Sequence, residues 1–522
     1  MAAASRPGDD RRTGSSGRFT TWIFGVVALV FALWLLWTWR FTMDDAFITL
    51  RYVRHVVEGL GPVWNPADRN APVEGFTSYL HMWILAGCLA LLEVDVVWLA
   101  KALGVVCSGA LLGLLGVEVR RRRLGAAGAA IALSPFALPY VALHSVSGME
   151  TALFTLLASA TALAAVAAAE TGRRGPLGLF VGLGCLSTLT RPEFGLPFLA
   201  LAGWLAWRRP DRRRELLVWL ALLYVLPGLA VTLQRWQLYH DFVPNAFHVK
   251  QGGRPNRWGL IYVVRFLAVV ALPYLIWMGA RVRELWPRER DLVSVTAIWV
   301  GFTLAYFSTT VPMMGWWHRY LIPLLPLLAL CTAVGLQAAD GSRRTRLWVA
   351  AGLAALLLPT AAQVPLWMRW LDGHHQHERL YREVGRRLAH FDGRERWLAY
   401  RDVGALVYEA GWNVKDVVGL NTRRADLGSP CQMRTDLVLR MVAAGTTPAP
   451  CPELYAPVAR LPFLRQPAGL GQTDLVVLAR VDLPDREVLG RHLEKDWPGP
   501  YVRSDERLAR YWTRLVRIFF QS

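Results

Sequence analysis

A polytopic bundle of membrane-spanning helices with a small folded domain at its C-terminal end is the fold class that this sequence predicts, and three observations carry it. Hydrophobic residues make up 54% of the 522, charged residues 19%, and the mean hydropathy is +0.29, values outside the usual range for a soluble globular chain. The apolar residues gather in twelve runs, several close to the ~20 residues that cross a bilayer as a helix. The net charge of +19 falls in short clusters between those runs, as topology-setting charges do. Six dispersed cysteines without CxxC spacing exclude a zinc finger or a dense disulfide scaffold. No GxxxxGK[ST] or GxGxxG loop offers an ATP or dinucleotide site. A cytosolic enzyme, a DNA-binding protein and an ATP-driven pump are thereby poor readings.

The first run, residues 19 to 39, follows a segment (1–18) carrying Arg11, Arg12 and Arg18, which places the N-terminus in the cytoplasm. It is longer than a signal-peptide core and is followed by Arg40 instead of a small-residue cleavage site, so it reads as an uncleaved anchor. Further runs cover 77–92, 97–118, 124–143, 149–169, 176–190, 194–207, 215–234, 259–280, 292–311, 319–339 and 347–369. If all twelve crossed, the Arg120, Arg121, Arg122, Arg123 cluster would face outward, against the positive-inside rule. The run 77–92, short, broken by His81 and Gly87 and ended by Glu93 and Asp95, is therefore assigned to the interface or a re-entrant turn. About eleven spans remain within residues 19–370, and the Arg clusters at 120–123, 173–174, 208–214, 281–290 and 343–346 then all lie inside. The loops at 40–96, 144–148, 191–193, 235–258 and 312–318 face outward, as does the tail, residues 371–522.

That tail mixes a helical opening (HERLYREVGRRLAHF), a strand-like run (TDLVVLARV) and Pro- or Gly-rich turns, which reads as an extracytoplasmic α/β or α+β domain. An oxidising exterior permits a disulfide between Cys431 and Cys451, worth about 3 kcal/mol on the chain-entropy model; two free thiols are the alternative.

Six outward features could carry chemistry, because charges beside a membrane bundle are costly unless paired, solvated or used. Asp44 and Asp45 follow the first span and read as a catalytic carboxylate with a supporting neighbour, or as a solvated interfacial pair. The same loop carries Trp64, Asn65 and Glu74 among Gly and Pro, in a length that suits a binding loop (40–96); Glu74 also reads as a helix-capping acid. His144 and Glu150 flank a short turn, where a lone His is more often structural. Arg191 and Glu193 either pair with each other or serve a lipid phosphate. YHDFVPNAFHVK brings Asn245 and Lys250 to one loop, suited to a phosphate or sugar hydroxyls. Trp317, His318 and Arg319 form either an interfacial anchor or a sugar-stacking, phosphate-binding corner. Acids, cations and aromatics thus recur at one end of the spans, at headgroup depth. A transporter more often carries ionisable residues near the midplane, where these spans have almost none.

Several strings, DDAFITLRYVRHVVEGLGPVWNP, VEGFTSYL, SGMETALF, LTRPEFG, HDFVPNAFHVK, WHRYLIPLLP, YRDVGALVYEAG and DVVGLN, resemble the GT-C class of polyprenyl-phosphate-sugar-dependent glycosyltransferases. Within it they are most similar to the bacterial group that includes the mycobacterial terminal arabinofuranosyltransferase. The resemblance implies a multi-pass enzyme of the bacterial inner membrane that moves a pentose, arabinofuranose first, from a polyprenyl-phosphate donor to a cell-envelope glycan. It implies a required acid at Asp44 or Asp45, with Asp44 favoured. Arg191, Lys250, His318 and Arg319 are implied near the donor phosphate. Trp64, Asn65, Glu74, His144, Glu150, Glu193, Asn245 and Trp317 are implied to orient sugar, acceptor or partner side chains. Asp402 and Asp416 fall at the interface of tail and membrane domain. No nucleotide is needed, no cofactor is certain and no nucleic-acid partner is implied; a divalent cation at the carboxylates is left open because no ligand spacing is diagnostic. A hexose donor, a protein acceptor, a lipid or solute transporter and a noncatalytic scaffold are the competing readings.

Overall fold

The computed structural model describes residues 10–68, 72–250, 256–312, 315–337, 343–393, 395–423, 428–443, 446, 451–465, 472–499 and 501–502. Seven of its helices are long and apolar enough to cross a membrane: Phe19–Thr38, Val96–Arg121, Thr151–Thr171, Pro210–Tyr239, Arg257–Arg281, Arg283–Thr309 and Trp316–Leu336. Two bent pairs add two more, Ala126–Ala137 with Pro139–Val146 (47°) and Ala350–Pro365 with Trp367–Leu388 (49°). A proline stands at each break, and its missing N–H and ring clash interrupt the helical ladder there. The two remaining expected spans are shorter helices, Arg174–Thr190 of 17 residues and Gly195–Arg208 of 14, joined through the turn Pro192–Phe194. The run expected at the interface is the 13-residue helix Tyr79–Leu91, about 20 Å long at 1.5 Å per residue and too short to span. The chain is a multi-pass membrane protein.

Burial sorts the spans. Nearly all of the apolar stretch of Trp316–Leu336 is buried inside the protein, whereas almost none of that of Phe19–Thr38 or Pro210–Tyr239 is, which leaves their apolar surface to lipid. Small residues let backbones approach: a Cβ on Gly104 would lie 2.0 Å from the Ser145 carbonyl oxygen, and the Ser108 and Ser145 hydroxyls bond each other at 2.6 Å.

Ion pairs sort the ends. Arg122–Glu289, Arg121–Glu170, Arg174–Glu215 and Arg208–Asp291 join the loops that carry the Arg clusters to one another. Arg191–Glu150, Arg319–Glu150 and Arg235–Glu74 join the alternate loops. Among the described residues no ion pair crosses between the two sets, as alternation of the spans requires.

At the end without the Arg clusters sits a six-stranded mixed sheet of β1 (Trp397–Tyr400), β2 (Asn413–Asp416), β3 (Leu437–Ala443), β4 (Tyr455–Arg465), β5 (Gln472–Arg480) and β6 (Tyr501–Val502), in the order β2-β1-β3-β5-β4-β6. β1 is parallel to β2 and β3, and β5 is antiparallel to β3 and β4. The helix Trp367–Leu388 runs on from the last span across the expected boundary at 370 and 371, and its Tyr381, Val384 and Leu388 enter the same core as Leu398, Val414 and Val477. So do Phe47, Leu50, Tyr52 and Trp64 of the first loop; loop and tail share one core. Cys451 is disulfide-bonded, while Cys88, Cys107, Cys185 and Cys331 are free; the expected partner, Cys431, has its side chain outside the described residues.

Buried amides and a guanidinium fasten loop to tail. Arg51 donates to the carbonyls of Trp64 (3.0 Å), Val407 (2.9 Å) and Trp412 (2.7 Å). Asn65 accepts from the Val414 N–H at 2.8 Å and donates to its carbonyl at 3.1 Å, so one side chain satisfies both backbone groups of Val414 on the edge strand β2. Asn65→Ala is expected to cost about 1–3 kcal/mol, because both backbone groups lose a buried partner; thermal unfolding in detergent measures it, and an unchanged midpoint would remove Asn65 from the fastening.

Candidate active site

The first span ends where Lys101 donates its ammonium to the carbonyls of Trp39 (2.7 Å) and Phe41 (2.8 Å), a cation at the negative end of a helix. The chain then turns: the Met43 N–H bonds the Ser147 carbonyl at 2.9 Å, and the helix Ala46–Val57 starts with Asp45 at its N-cap position. Asp44 and Asp45 therefore stand at the positive end of that helix, held against the turn that precedes Glu150.

Asp44 accepts the Ala405 N–H at 2.9 Å. Gly404 makes room for it, since a Cβ there would lie 2.1 Å from the Asp44 carboxyl carbon. Burial pushes the Asp44 carboxyl up to about 7; the Ala405 hydrogen bond opposes this, and the charges of Asp45, Asp402 and Glu378 add to it. An acid poised near neutrality can hold or release a proton in turnover. Gly404→Ala is expected to displace the flexible Asp44 side chain and lower activity at least tenfold with a small change in unfolding midpoint; activity within twofold of the parent would show that Asp44 tolerates the shift.

Three residues after Ser147, three donors converge on Oε1 of buried Glu150: Arg191 Nε at 3.0 Å and Nη2 at 2.7 Å, and Arg319 Nη2 at 3.0 Å. Arg319 also donates to Sδ of Met43 at 3.3 Å, which ties the cation pair to the residue before Asp44. Arg191 Nη1 makes no hydrogen bond among the described residues and lies 3.5 Å from Glu193. Glu150, Arg191, Glu193 and Arg319 line a cavity of about 590 Å³, closed elsewhere by Leu196, Val243, Pro244, Phe247, Phe307 and Val311, with Thr77, Thr309, Thr310 and Tyr320 as polar neighbours. A third cation, Arg235, also lines it, bonded to Glu74 at 2.9 Å. Burial pushes the Glu74 carboxyl up to about 7 while Arg235 holds it down. Neither Asp44 nor Asp45 is in the lining.

The remaining expected site residues lie elsewhere. Trp64, Asn65 and Asn245 sit in the contact between loop and tail; Asn245 donates to the carbonyls of Gly419 (2.7 Å), Leu420 (3.0 Å) and Thr422 (3.1 Å). Trp317 and His318 are buried among aromatics, Trp317 against Trp367 and Trp370, His318 against Tyr262 and Phe266, so neither forms an open sugar-stacking face. His144 is buried against the backbone of Trp316 and Trp317. Asp416 closes its own turn, accepting from the N–H groups of Val418, Gly419 and Asn421. Lys250 ends the helix Asn245–Lys250, and its side chain lies outside the described residues. Sequence reasoning missed Arg235, one residue beyond an apolar run, Arg51, two of whose three acceptors lie hundreds of residues away, and Tyr381, whose partners are on β1 and the loop that follows it.

No protein-family model matches the chain. Solved structures do: ArnT from Cupriavidus metallidurans in the apo state, with a TM-score of 0.53 at 13% identity over 88% of this chain and 97% of that one, and the same protein bound to undecaprenyl phosphate, with a TM-score of 0.54 at 15% identity over 88% and 98%. The chain has the GT-C fold of ArnT. Two curated relatives agree with the GT-C resemblance read from the motifs, both named terminal beta-(1->2)-arabinofuranosyltransferase. The one from Mycobacterium tuberculosis is 27% identical over 405 residues, 68% of this chain and 62% of the relative. The one from Corynebacterium glutamicum is 27% identical over 372 residues, 62% of this chain and 52% of the relative. The chain thus spans between half and two thirds of the length of these relatives. In the GT-C frame, the carboxylates at the end of the first span and the cavity with its three arginines occupy the end of the bundle that carries the sheet domain.

Proposed function

We propose that the protein is a membrane glycosyltransferase that moves a pentose, arabinofuranose in first place, from a polyprenyl-phosphate donor to a cell-envelope glycan at the outer face of the bacterial inner membrane. The observation that carries this reading is the Arg191–Glu150–Arg319 cluster lining a largely apolar cavity, with Arg319 tied through Met43 Sδ to the residue before Asp44. The ArnT relative that was solved with undecaprenyl phosphate and the names of the two curated relatives support the same choice of donor.

The chemistry follows from charge. As the bond from sugar to phosphate breaks, negative charge grows on the leaving polyprenyl phosphate. Arg191, whose Nη1 has a donor to spare, with Arg319 and Arg235 receives that charge in a water-poor site where it counts for more than in water. The apolar wall takes the prenyl chain. Ionised Asp44 accepts the proton of the acceptor hydroxyl as its oxygen bonds the anomeric carbon, so bond making and proton loss coincide. Among the described residues no three His, Cys, Asp or Glu side chains come together as metal ligands. Positive-inside charge puts the Arg clusters in the cytoplasm and the sheet domain outside.

Transfer by the purified full chain, offered polyprenyl-phosphate pentoses and hexoses with oligosaccharide acceptors, tests this. Product from a pentose donor alone supports the reading, product from a hexose replaces the sugar, and no product from folded protein overturns it. Arg191→Lys is expected to raise the donor KM about tenfold with kcat within threefold, because a compact ammonium lacks the fork that holds Glu150 through Nε and Nη2 while presenting Nη1 elsewhere; an unchanged KM would take Arg191 out of the donor site.

A further inference from the structure

Asp44 belongs to the first loop, yet the C-terminal part of the chain builds the other side of its pocket. β1 runs parallel to both neighbours and ends at Tyr400, and residues 401–404 leave its C-terminal end, where parallel strands gather functional loops. From that loop come the Ala405 N–H on Asp44, the Cβ-less Gly404 beside it and the carboxylate of Asp402. Asp402 is itself held: Tyr381 donates its hydroxyl to Oδ2 at 2.9 Å, and Tyr400 donates to the Tyr381 oxygen at 2.9 Å. The chain Tyr400–Tyr381–Asp402 is thus fixed by two buried rings, one on the helix continuing the last span and one on the sheet.

We propose that Asp402 and Tyr381 are positioning residues for Asp44: the Tyr381 hydroxyl, braced by Tyr400, fixes the Asp402 carboxylate so that its charge faces Asp44 and sets the readiness of Asp44 to take the acceptor proton. This rests on Asp44 being the proton acceptor of the transfer step. The acids facing Asp44 are Asp45 on its own loop, Glu378 on the helix Trp367–Leu388 and Asp402 from the sheet domain, with the hydroxyls of Tyr381 and Tyr400 alongside. Glu378 is paired with Arg382 at 3.0 Å and also faces Lys101, and Asp45 faces Arg319. Asp402 differs from both, because its described hydrogen-bond partner is a neutral hydroxyl. His377 also faces Asp402, but burial drives that ring toward its neutral form, so the charge of Asp402 is the one least offset by a cation, and a like charge nearby favours the protonated form of its neighbour.

The test is the pH profile of kcat/KM for transfer by the full chain, with Asp402→Asn, Tyr381→Phe and Asp44→Asn beside the parent. Asp402→Asn is expected to move the acid limb down by about one pH unit, since one like charge is gone. Tyr381→Phe, which keeps the ring against His377 and Phe463, is expected to lower kcat about tenfold at unchanged donor KM, as Asp402 swings free. Acid limbs that stay put in both variants, with kcat within twofold and only the unfolding midpoint altered, make the chain a structural brace and overturn the proposal. Should Asp402→Asn not fold, Tyr381→Phe alone decides between these outcomes. Full activity in Asp44→Asn would instead sink the assignment of Asp44, which separates failure of the functional reading from failure of the positioning.

Discussion

Asp44→Asn is expected to reduce transfer by a factor of about 10² to 10⁴, the range that a positioned base contributes, while the protein folds and inserts normally. The amide keeps the shape and can accept the Ala405 N–H, so the loss is chemical. In the parent, kcat/KM should fall with decreasing pH below about 7, where the Asp44 carboxylate takes up its proton. Stability has the opposite dependence. The folded-state value lies above the ordinary value of 3.8, so the native state holds this proton more tightly than the unfolded chain; the contribution is complete below about pH 3.8 and is lost as pH rises through about 7. Asp44→Asn escapes that loss, and its unfolding midpoint should exceed the parent's at pH 8, with the gap closing toward pH 4. A midpoint below the parent's at pH 8 would mean that the carboxylate is stabilised there, contrary to its burial beside three acids.

Glu150→Gln should be the most destabilising single change in the bundle's polar end. Three donors from two arginines meet on one buried oxygen, and an amide there removes the counter-charge that the two buried guanidinium groups share, leaving Arg191 only Glu193 at 3.5 Å and Arg319 only the more remote charge of Asp45. Breaking a buried ion pair from one side costs about 3–5 kcal/mol. Arg319→Met should cost less, because Glu150 keeps both bonds from Arg191. Unfolding midpoints of the two variants, measured in one detergent, give the order; Arg319→Met falling below Glu150→Gln would show that Arg319, and not the carboxylate, is the hub.

The helices were legible because periodicity was not needed: runs of apolar residues between Arg clusters mark spans by length and charge alone, and each of the eleven expected runs has a helix. The bends at Pro139 and Pro365 were present as prolines but not as angles. In the site, Asp44, Glu150, Arg191 and Arg319 stood out because charges beside apolar runs are few, and the structure brings the last three onto a single oxygen. Trp64, Asn65 and Asn245 misled because amides and indoles suit sugars as well as they suit backbone carbonyls, and only three-dimensional pairing tells the two apart. Arg51, with three carbonyl acceptors in its reach, was indistinguishable in sequence from the neighbouring Arg54. Arg235 was hidden by its place at the end of an apolar run, where a topology-setting charge is the ordinary explanation.

The bond from Ala405 to Asp44 joins positions 361 residues apart, and Arg51 reaches Trp412 across the same separation. A ribosome adding about 5–20 residues per second needs roughly 20 to 75 s between making the loop that carries Asp44 and making the turn that covers it. Throughout that interval the spans can insert and pack, but Asp44 lacks its backbone donor. In a nascent chain the Asp44 side of the pocket is thus incomplete until the last domain docks. A truncation before residue 405 would remain so indefinitely, however well its helices assemble.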